Sequence, residues 1–222
     1  MSTHPTQCPV FTSISCELAK TARESYHRGW SPATSTNFSV RLPGEEMRIA
    51  VTRTGIDKST CGPSDILIVD ENGVPIPGCN HRPSAETPLH VALYTHSSEV
   101  GAVLHTHSLA STVLSMEASD RGRITFSNFE LLKVLRGETT HETSHDLPIF
   151  PNSQDMTELG REVVFHLETV YARGKRCFGV LIEGHGLYAW GQDLAEAKRH
   201  VEAYEFLLEC ILLQGQRQGR IR

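Results

Sequence analysis

Short strand patterns in this chain occur as neighbours joined by tight turns, while longer helical patterns lie between them. Residues 37–42 and 49–51 have strand-like apolar patterns, and Pro43-Gly44 follows the first of them. Residues 66–69 and 74–76 flank an Asp-Glu-Asn-Gly turn and predict a hairpin. Because strands joined by such turns run antiparallel, we expect an α/β fold whose central sheet is mostly antiparallel.

Helical periodicity predicts the elements that cover this sheet. Apolar residues at four-residue steps predict a helix over 11–29. Asp155 and Asp193 should each open a longer helix, because a glutamate follows each of them three residues later. The other predicted elements are strands over 101–107, 147–150, 177–182 and 187–190, a helix that begins near Ser84, and helices over 109–116 and 129–135.

Length and composition are typical of one globular domain. The 222 residues are 39% hydrophobic, and we expect a single domain over 1–222 with frayed tails at 1–10 and 215–222. The net charge is −5 and no long basic run occurs, so neither nucleic acid nor an anionic membrane is expected as a partner. No apolar run approaches the roughly 20 residues of a membrane helix, and no signal-peptide pattern is present, which predicts a cytoplasmic protein. The six scattered cysteines are expected to be free thiols.

Three histidines are candidates for a metal site. His105 and His107 are two residues apart on a predicted strand, so their side chains should point to the same face. Two such imidazoles can converge on one ion, although two ordinary polar side chains remain the alternative. His185 lies between two glycines whose conformational freedom can aim it into a site, or it is an exposed turn histidine. Three imidazoles with an open position would match a catalytic zinc.

Two short polar stretches could hold an anion. Ser35-Thr36-Asn37 precedes a predicted strand, and Thr52-Arg53-Thr54-Gly55 ends another. Hydroxyls, amides and a flexible glycine are the groups that phosphate-binding loops use. Ser84, at a predicted helix start, would add free N–H groups. Each stretch alone is also a common turn or cap, so their joint use depends on whether they meet in space.

Two glutamates are candidates for acid–base chemistry. Glu86 and Glu130 each stand near the start of a predicted helix, where the helix dipole favours a carboxylate for purely structural reasons. Proton abstraction next to a carbonyl needs a base, and dehydration needs an acid for the leaving hydroxyl. The residues alone do not decide which glutamate takes which role.

Several of these stretches occur together, and in the same order, in one known family. The chain resembles the class II aldolase/adducin-like family over residues 11–215, through Ser35-Thr36-Asn37-Phe38-Ser39, Thr54-Gly55, Pro83-Ser84-Ala85-Glu86, His105-Thr106-His107-Ser108 and Gly184-His185-Gly186. Thr36 departs from the family, which usually has a Gly-Asn pair at this point, and this would alter the approach of the backbone to a phosphate.

The resemblance implies an architecture and a site. It implies a three-layer α/β/α domain, homotetramers with sites at subunit interfaces, and one Zn²⁺ per subunit. The residues that match functional positions of the family are His105, His107 and His185 as zinc ligands, Asn37, Thr54, Gly55 and Ser84 as phosphate-binding residues, and Glu86 as the acidic residue near the metal.

The resemblance also implies a reaction class. A small phosphorylated keto-sugar is the expected substrate. Glu130 matches a catalytic glutamate of the family's dehydratases that its sugar-phosphate aldolases generally lack, so a zinc-dependent dehydratase is predicted. An aldolase or epimerase acting on a pentulose phosphate is the first alternative. A non-catalytic, adducin-like interaction module without the metal is the second, and the intact set of three histidines argues against it.

Overall fold

Eight strands form one sheet in the computed structural model, which describes residues 9–217. The strands are β1 (Asn37–Arg41), β2 (Ile49–Thr52), β3 (Ile66–Val69), β4 (Ala102–Thr106), β5 (Arg123–Ser127), β6 (Ser144–Phe150), β7 (Gly179–Ile182) and β8 (Gly186–Gly191). The helices are α1 (Pro9–His27), α2 (Thr87–His96), α3 (Leu109–Glu117), α4 (Met156–Ala172) and α5 (Leu194–Arg217). Across the sheet the strand order is β3-β2-β1-β4-β8-β7-β6-β5.

Neighbouring strands of this sheet are antiparallel with one exception. β6 and β7 are parallel, and the chain between them forms α4, because a parallel pair needs a crossover connection. All other pairings are antiparallel. The prediction of an α/β fold with a mostly antiparallel sheet is therefore confirmed.

Helices cover both faces of the sheet. On one face, Leu18 of α1, Leu114 of α3 and Leu207 of α5 belong to one buried apolar cluster. On the other face, Leu89 of α2 and Val163 of α4 belong to a second buried cluster. Since both faces are buried, the central strands contain few exposed residues, and the three-layer α/β/α arrangement expected from the family resemblance is confirmed.

The alternation of β4 decides which layer each of its last residues faces. Leu104 packs in the cluster of α1, α3 and α5, whereas Val103 packs in the cluster of α2 and α4. Because successive side chains of a strand point to opposite faces, His105 lies on the side of α2 and Thr106 on the side of α5. The strand thus presents His105 toward the chain that enters α2.

One strand was not predicted from the sequence. In β5, Ile124 and Phe126 are buried while Arg123, Thr125 and Ser127 are exposed, so the strand covers the core with one face only. It pairs with β6 at the edge of the sheet. An alternation this short gives a weak signal, because its pairing partner lies about 20 residues further along the chain.

Some predicted boundaries differ from those observed. α2 begins at Thr87 rather than near Ser84, which lies in the turn before it. The predicted second strand of the 66–76 hairpin reduces to a single bridge between Val69 and Pro75. The segment predicted to be helical over 129–135 is a 3₁₀ helix, Glu130–Val134.

The predicted frayed tails lie only partly within the described residues. Residues 1–8 and 218–222 are outside them, whereas 9–10 belong to α1 and 215–217 to α5. Among the described helices, none is both long enough and apolar enough to cross a bilayer. The five cysteines between residues 9 and 217 are all free thiols.

Candidate metal centre

The three candidate histidines meet at one end of the sheet, where β4 and β7 end and β1 and β8 begin. In the strand register His105 lies opposite Asn37 of β1, and Thr106 lies opposite Leu187 of β8. His185 occupies the turn between β7 and β8. Residues far apart in the chain are brought together because antiparallel neighbours place a strand end beside a strand start.

The imidazole nitrogens of these histidines converge on one point. The Nε2 atom of His105 lies 2.6 Å from Nε2 of His107 and 3.2 Å from Nε2 of His185. Donors held about 2.0–2.1 Å from one ion in a tetrahedron stand roughly 3.3 Å apart. The His105–His185 spacing therefore fits a shared metal, and the closer His105–His107 pair would have to separate slightly to hold one. Glu86 adds a carboxylate oxygen, and the four donor atoms all lie within 4.8 Å of one another.

The surroundings of His105 hold its ring in the state that binds metal. Its Nδ1–H donates to the carbonyl oxygen of Leu187 at 2.9 Å, which leaves the Nε2 lone pair facing the cluster. The ring of Tyr188 stacks on it with a centroid distance of 3.8 Å. Burial lowers the pKa of His105 well below its ordinary value and that of His107 to about 4. Neutral imidazoles are the form that coordinates cations.

The backbone of the turn that carries His185 is held by α3 and by a close approach to β4. Gly184 has φ +61°, and its N–H donates to the hydroxyl of Ser115 at 3.0 Å. A Cβ on Gly186 would lie only 2.0 Å from the carbonyl oxygen of Thr106. Gly184 therefore serves the left-handed turn, whereas Gly186 is needed because a side chain has no room there.

Glu86 completes the cluster from the segment that leads into α2. Its Oε1 atom lies 2.8 Å from Nε2 of His185 and 3.7 Å from Nε2 of His105. Burial opposes ionisation of this carboxyl group, but the hydrogen bond from His185 and the nearby imidazoles together lower its pKa below its ordinary value. The carboxylate is thus ionised, and its side chain remains 18% exposed.

The predicted anion-binding residues lie beside this cluster. The Nδ2 group of Asn37 donates to Ser84 Oγ at 3.2 Å and to the second carboxylate oxygen of Glu86. The Thr54 N–H donates to the carbonyl oxygen of Arg82 at 3.0 Å, which joins the Thr54-Gly55 turn to the segment that contains Ser84. The separate stretches singled out in the sequence therefore meet in space.

Comparison with known proteins relates this geometry to a family. The model of the class II aldolase and adducin N-terminal domain family matches residues 16–212. The chain belongs to this family. Its three-layer fold and its order of motifs are accordingly those expected from the resemblance noted above.

Relatives within the class II aldolase family are similar over most of the chain. A protein of Sorangium cellulosum named methylthioribulose-1-phosphate dehydratase is 45% identical over 97% of this chain and 99% of its own length. A protein of the same name from Xanthomonas campestris pv. campestris is 49% identical over 86% of this chain and 84% of its own.

Solved structures show the same fold. The L-fuculose-1-phosphate aldolase of Thermus thermophilus superposes with a TM-score of 0.71 at 22% identity, covering 94% of this chain and 97% of that one. A sugar-phosphate aldolase of Thermotoga maritima superposes with a TM-score of 0.61 at 25% identity, covering 96% of this chain and 97% of that one.

Glu130, the other predicted catalytic residue, lies outside the histidine cluster of its own chain. Its side chain is 71% exposed and forms an ion pair with Lys133, and its second carboxylate oxygen lies 3.6 Å from Nδ1 of His141. β5, which precedes it, ends at Ser127 opposite Ser144, the first residue of β6. The β7–β8 turn adjoins the other end of β6, because β6 and β7 run parallel. The described contacts of Glu130 therefore do not include the cluster.

Sequence reasoning missed two buried charged residues near the site. Glu205 of α5 is fully buried and accepts a hydrogen bond from Thr106, the residue between His105 and His107. Lys58 is also fully buried, behind the Thr54-Gly55 turn. In the sequence, Asp57 and Lys58 are the two charged residues between Ile56 and Cys61. This pattern is only a weak signal that the lysine is buried. Glu205 gave no signal, since charged residues are normally exposed on helices.

We expect Gly186→Ala to destabilise the protein and to weaken metal binding. The new methyl group would collide with the Thr106 carbonyl, so β8 must move away from the strand end that carries His105. The free energy of unfolding should fall by roughly 1–3 kcal/mol, the usual range for overpacking. Gly62→Ala is the matched control, because a Cβ there meets only ordinary contacts at 3.8 Å or more. Urea titrations measure the free energy of unfolding, and competition with a zinc chelator measures the metal affinity. Equal values for Gly186→Ala and Gly62→Ala would contradict the prediction.

We expect Glu205→Gln to gain stability relative to wild type as the pH rises. Burial raises the pKa of Glu205 to about 7 in spite of its hydrogen bonds from Ser108 and Thr106. Wild type therefore loses stability from near pH 4.5 up to about pH 7, where the folded protein must ionise a buried acid, and the loss amounts to a few kcal/mol. Glutamine does not titrate, so the free energy of unfolding of Glu205→Gln should rise relative to that of wild type as the pH increases.

Urea unfolding at pH 5 and pH 8 tests this expectation. The control is Glu168→Gln on the exposed face of α4, which should follow wild type at both pH values. A stability difference between Glu205→Gln and wild type that stays constant with pH would show that Glu205 has an ordinary pKa.

Proposed function

We propose that this chain is a cytoplasmic, zinc-dependent dehydratase. It converts 5-methylthioribulose 1-phosphate into 5-methylthio-2,3-dioxopentyl phosphate and water in methionine salvage. The convergence of His105, His107 and His185 with Glu86, directly beside Asn37, is the observation that carries the proposal. The names of relatives that are 45% and 49% identical support this choice of substrate.

Zinc suits the donor atoms of the cluster, at one ion per subunit. Three nitrogen donors with a nearby carboxylate are a usual set for a catalytic zinc site. The Nε2 atoms of His107 and His185 lie 2.6 and 3.2 Å from that of His105, so all three could turn a nitrogen lone pair to one ion once the Nε2 proton that His185 donates to Glu86 is released. When bound, zinc would supply Lewis-acid polarisation of the C2 carbonyl and so make the proton at C3 more acidic.

The substrate phosphate would be bound by the polar group next to the metal site. Asn37 and Ser84 are within hydrogen-bond distance of each other, and Thr54 and Gly55 are exposed at the adjacent turn. Thr36 has φ +72°, the conformation for which glycine is favoured at this point. The departure from the family pattern at Thr36 therefore leaves the backbone in a glycine-like conformation.

Two carboxyl groups carry the acid–base work in this proposal. Glu86 is ionised beside the imidazoles and is available to accept the C3 proton. In a single chain the hydrogen bond from Lys133 lowers the pKa of Glu130, so its carboxyl group must take up a proton at the assembled site before it donates to the C4 hydroxyl, which leaves as water as the C3–C4 double bond forms. The resulting enol tautomerises to the 2,3-diketone, so the net change is the loss of one water.

A neighbouring subunit is proposed to supply Glu130. Within one chain its exposed side chain belongs to the segment after β5, outside the cluster. In a homotetramer with sites at subunit interfaces, an exposed glutamate of one subunit can reach the metal site of another. This arrangement reconciles the position of Glu130 with its proposed role.

Zinc content and product analysis test the proposed function. Purified protein should contain about one zinc per chain and should convert the methylthio sugar phosphate to the diketone, with loss of turnover after chelation and recovery with zinc. Two- or three-carbon fragments would instead identify an aldolase, and a protein without metal and without turnover would favour the interaction module. Either outcome would overturn the dehydratase.

Glu130→Gln should retain zinc and stability but lose turnover by roughly 10²–10⁴-fold, the range for a single acid–base group. Glu142→Gln, an exposed substitution further along the same loop region, is the control and should keep wild-type turnover. Near-normal turnover of Glu130→Gln would remove this residue from the mechanism.

Mixed oligomers test whether Glu130 acts across the interface. Glu130→Gln and His107→Ala should each be inactive alone. When subunits of the two variants are co-assembled, about a quarter of the sites should combine an intact histidine set with an intact Glu130 from the neighbour. Recovered activity near that fraction supports the arrangement, and no recovery in verified mixed oligomers would place Glu130 and the histidines in the same chain's site.

A further inference from the structure

Lys58 is a fully buried cation directly behind the proposed phosphate site. It follows the exposed Thr54-Gly55 turn by three residues and begins a short 3₁₀ helix, Lys58–Thr60. None of the sequence motifs discussed above depends on it. A buried ammonium group is uncommon because removal of a charge from water is costly unless the charge is paired.

The contacts of this ammonium group are backbone carbonyls. Nζ donates to the carbonyl oxygen of Ser35 at 2.9 Å and to that of Ile56 at 3.4 Å. No carboxylate of the described residues lies within ion-pair distance of it, and the side chain of the adjacent Asp57 instead accepts from the N–H of Ser59. Carbonyl dipoles offset only part of the desolvation of a full charge, so Lys58 retains positive potential toward its surroundings.

The two carbonyls belong to the two segments that carry the proposed phosphate-binding residues. Ser35 precedes Thr36 and Asn37, whereas Ile56 follows Gly55. Thr36 and Gly55 both have left-handed backbone conformations, with φ +72° and +71°. For threonine this conformation is unfavourable, so it must be held by its surroundings. Lys58 holds the carbonyl oxygen of Ser35, the residue before Thr36.

The negative charges at the proposed phosphate site would be stabilised by a nearby cation. Glu86 is ionised within the cluster, and a substrate phosphate would bring further negative charge beside it. Arg53, on the same turn, is already paired with Asp65 at 2.8 Å. Lys58 is close enough to Glu86 to interact with its charge, although burial dominates and lowers the pKa of the lysine to about 8.

We propose that Lys58 is a positioning residue for phosphate recognition, which ties the 35–37 and 54–56 segments together from behind and places a buried positive charge beneath them. This inference rests on the proposed function of those segments as a phosphate site. Lys58 is buried, so it acts through the two backbone segments and through its field rather than by contact with the substrate.

Lys58→Met tests the proposal, since methionine fills similar space but neither donates nor carries charge. The affinity for inorganic phosphate and the KM for the sugar phosphate should both worsen about tenfold or more, as expected on loss of a charged donor. The zinc content should remain at the wild-type level, and kcat should change much less than KM. Turnover of the unphosphorylated sugar should be unaffected.

Lys20→Met, an exposed substitution on α1, is the matched control and should leave all these quantities unchanged. Thermal unfolding of Lys58→Met shows whether the fold is retained, because exchange of a buried ion for an apolar side chain is often neutral. If Lys58→Met does not fold, Lys58→Gln, which keeps a donor but not the charge, replaces it with the same expected loss of phosphate affinity.

Unchanged phosphate affinity in the folded variant would overturn the proposal. Equal losses for the phosphorylated and the unphosphorylated sugar would also overturn it, because a purely structural lysine would affect both. The phosphate measurement needs no turnover, so it separates this inference from the proposed function: wild-type protein that binds phosphate without dehydrating the sugar phosphate would refute the dehydratase alone.

Discussion

The close approach of β8 to the end of β4 is the constraint on which the site depends. At Gly186 the two backbones come so near that no side chain fits between them. That contact sets the β7–β8 turn, and with it His185, against the two imidazoles at the end of β4. The Leu187 carbonyl then accepts from His105 Nδ1, so the same strand that brings the third imidazole also orients the first.

The two faces of the sheet at this end differ in the charge that they place beside the histidines. On the side of α2, the ionised carboxylate of Glu86 faces the imidazoles and accepts from Asn37. On the side of α5, Glu205 is buried against Thr106, and burial favours its neutral form. The difference arises because hydrogen bonds and imidazoles stabilise the first charge, whereas the second lies in an apolar layer. The strand alternation of β4 alone separates the two environments.

Similarity to other family members and the geometry of this chain contribute different parts of the functional argument. The fold and the order of motifs are shared with aldolases of low identity, so they do not by themselves distinguish dehydration from carbon–carbon bond cleavage. The relatives at 45% and 49% identity share one name, that of a dehydratase. Within one chain the four side chains that could hold a metal ion come together, whereas Glu130, the acid proposed for the leaving hydroxyl, does not reach them. The proposed mechanism therefore draws on a neighbouring subunit.

Much of this structure can be predicted from the amino-acid sequence because the signals are local. The spacing of His105, in β4, and His107, the first residue after it, directs both side chains to one side. Capping residues such as Asp155 mark helix starts by hydrogen bonds to their own first turn. The edge strand β5 was missed, since its stability comes from pairing with β6 rather than from its own residues.

By itself, the sequence determined most of the helices and strands, the mostly antiparallel sheet and the residue types available to a metal. Only the tertiary structure decided that Glu86 joins the imidazoles, that Glu130 of the same chain lies outside their cluster, and that Lys58 is buried behind the turn it follows. The physical reason is that the role of a charged side chain depends on its solvation and on partners contributed by distant segments. Neither is encoded in the spacing of its neighbours along the chain.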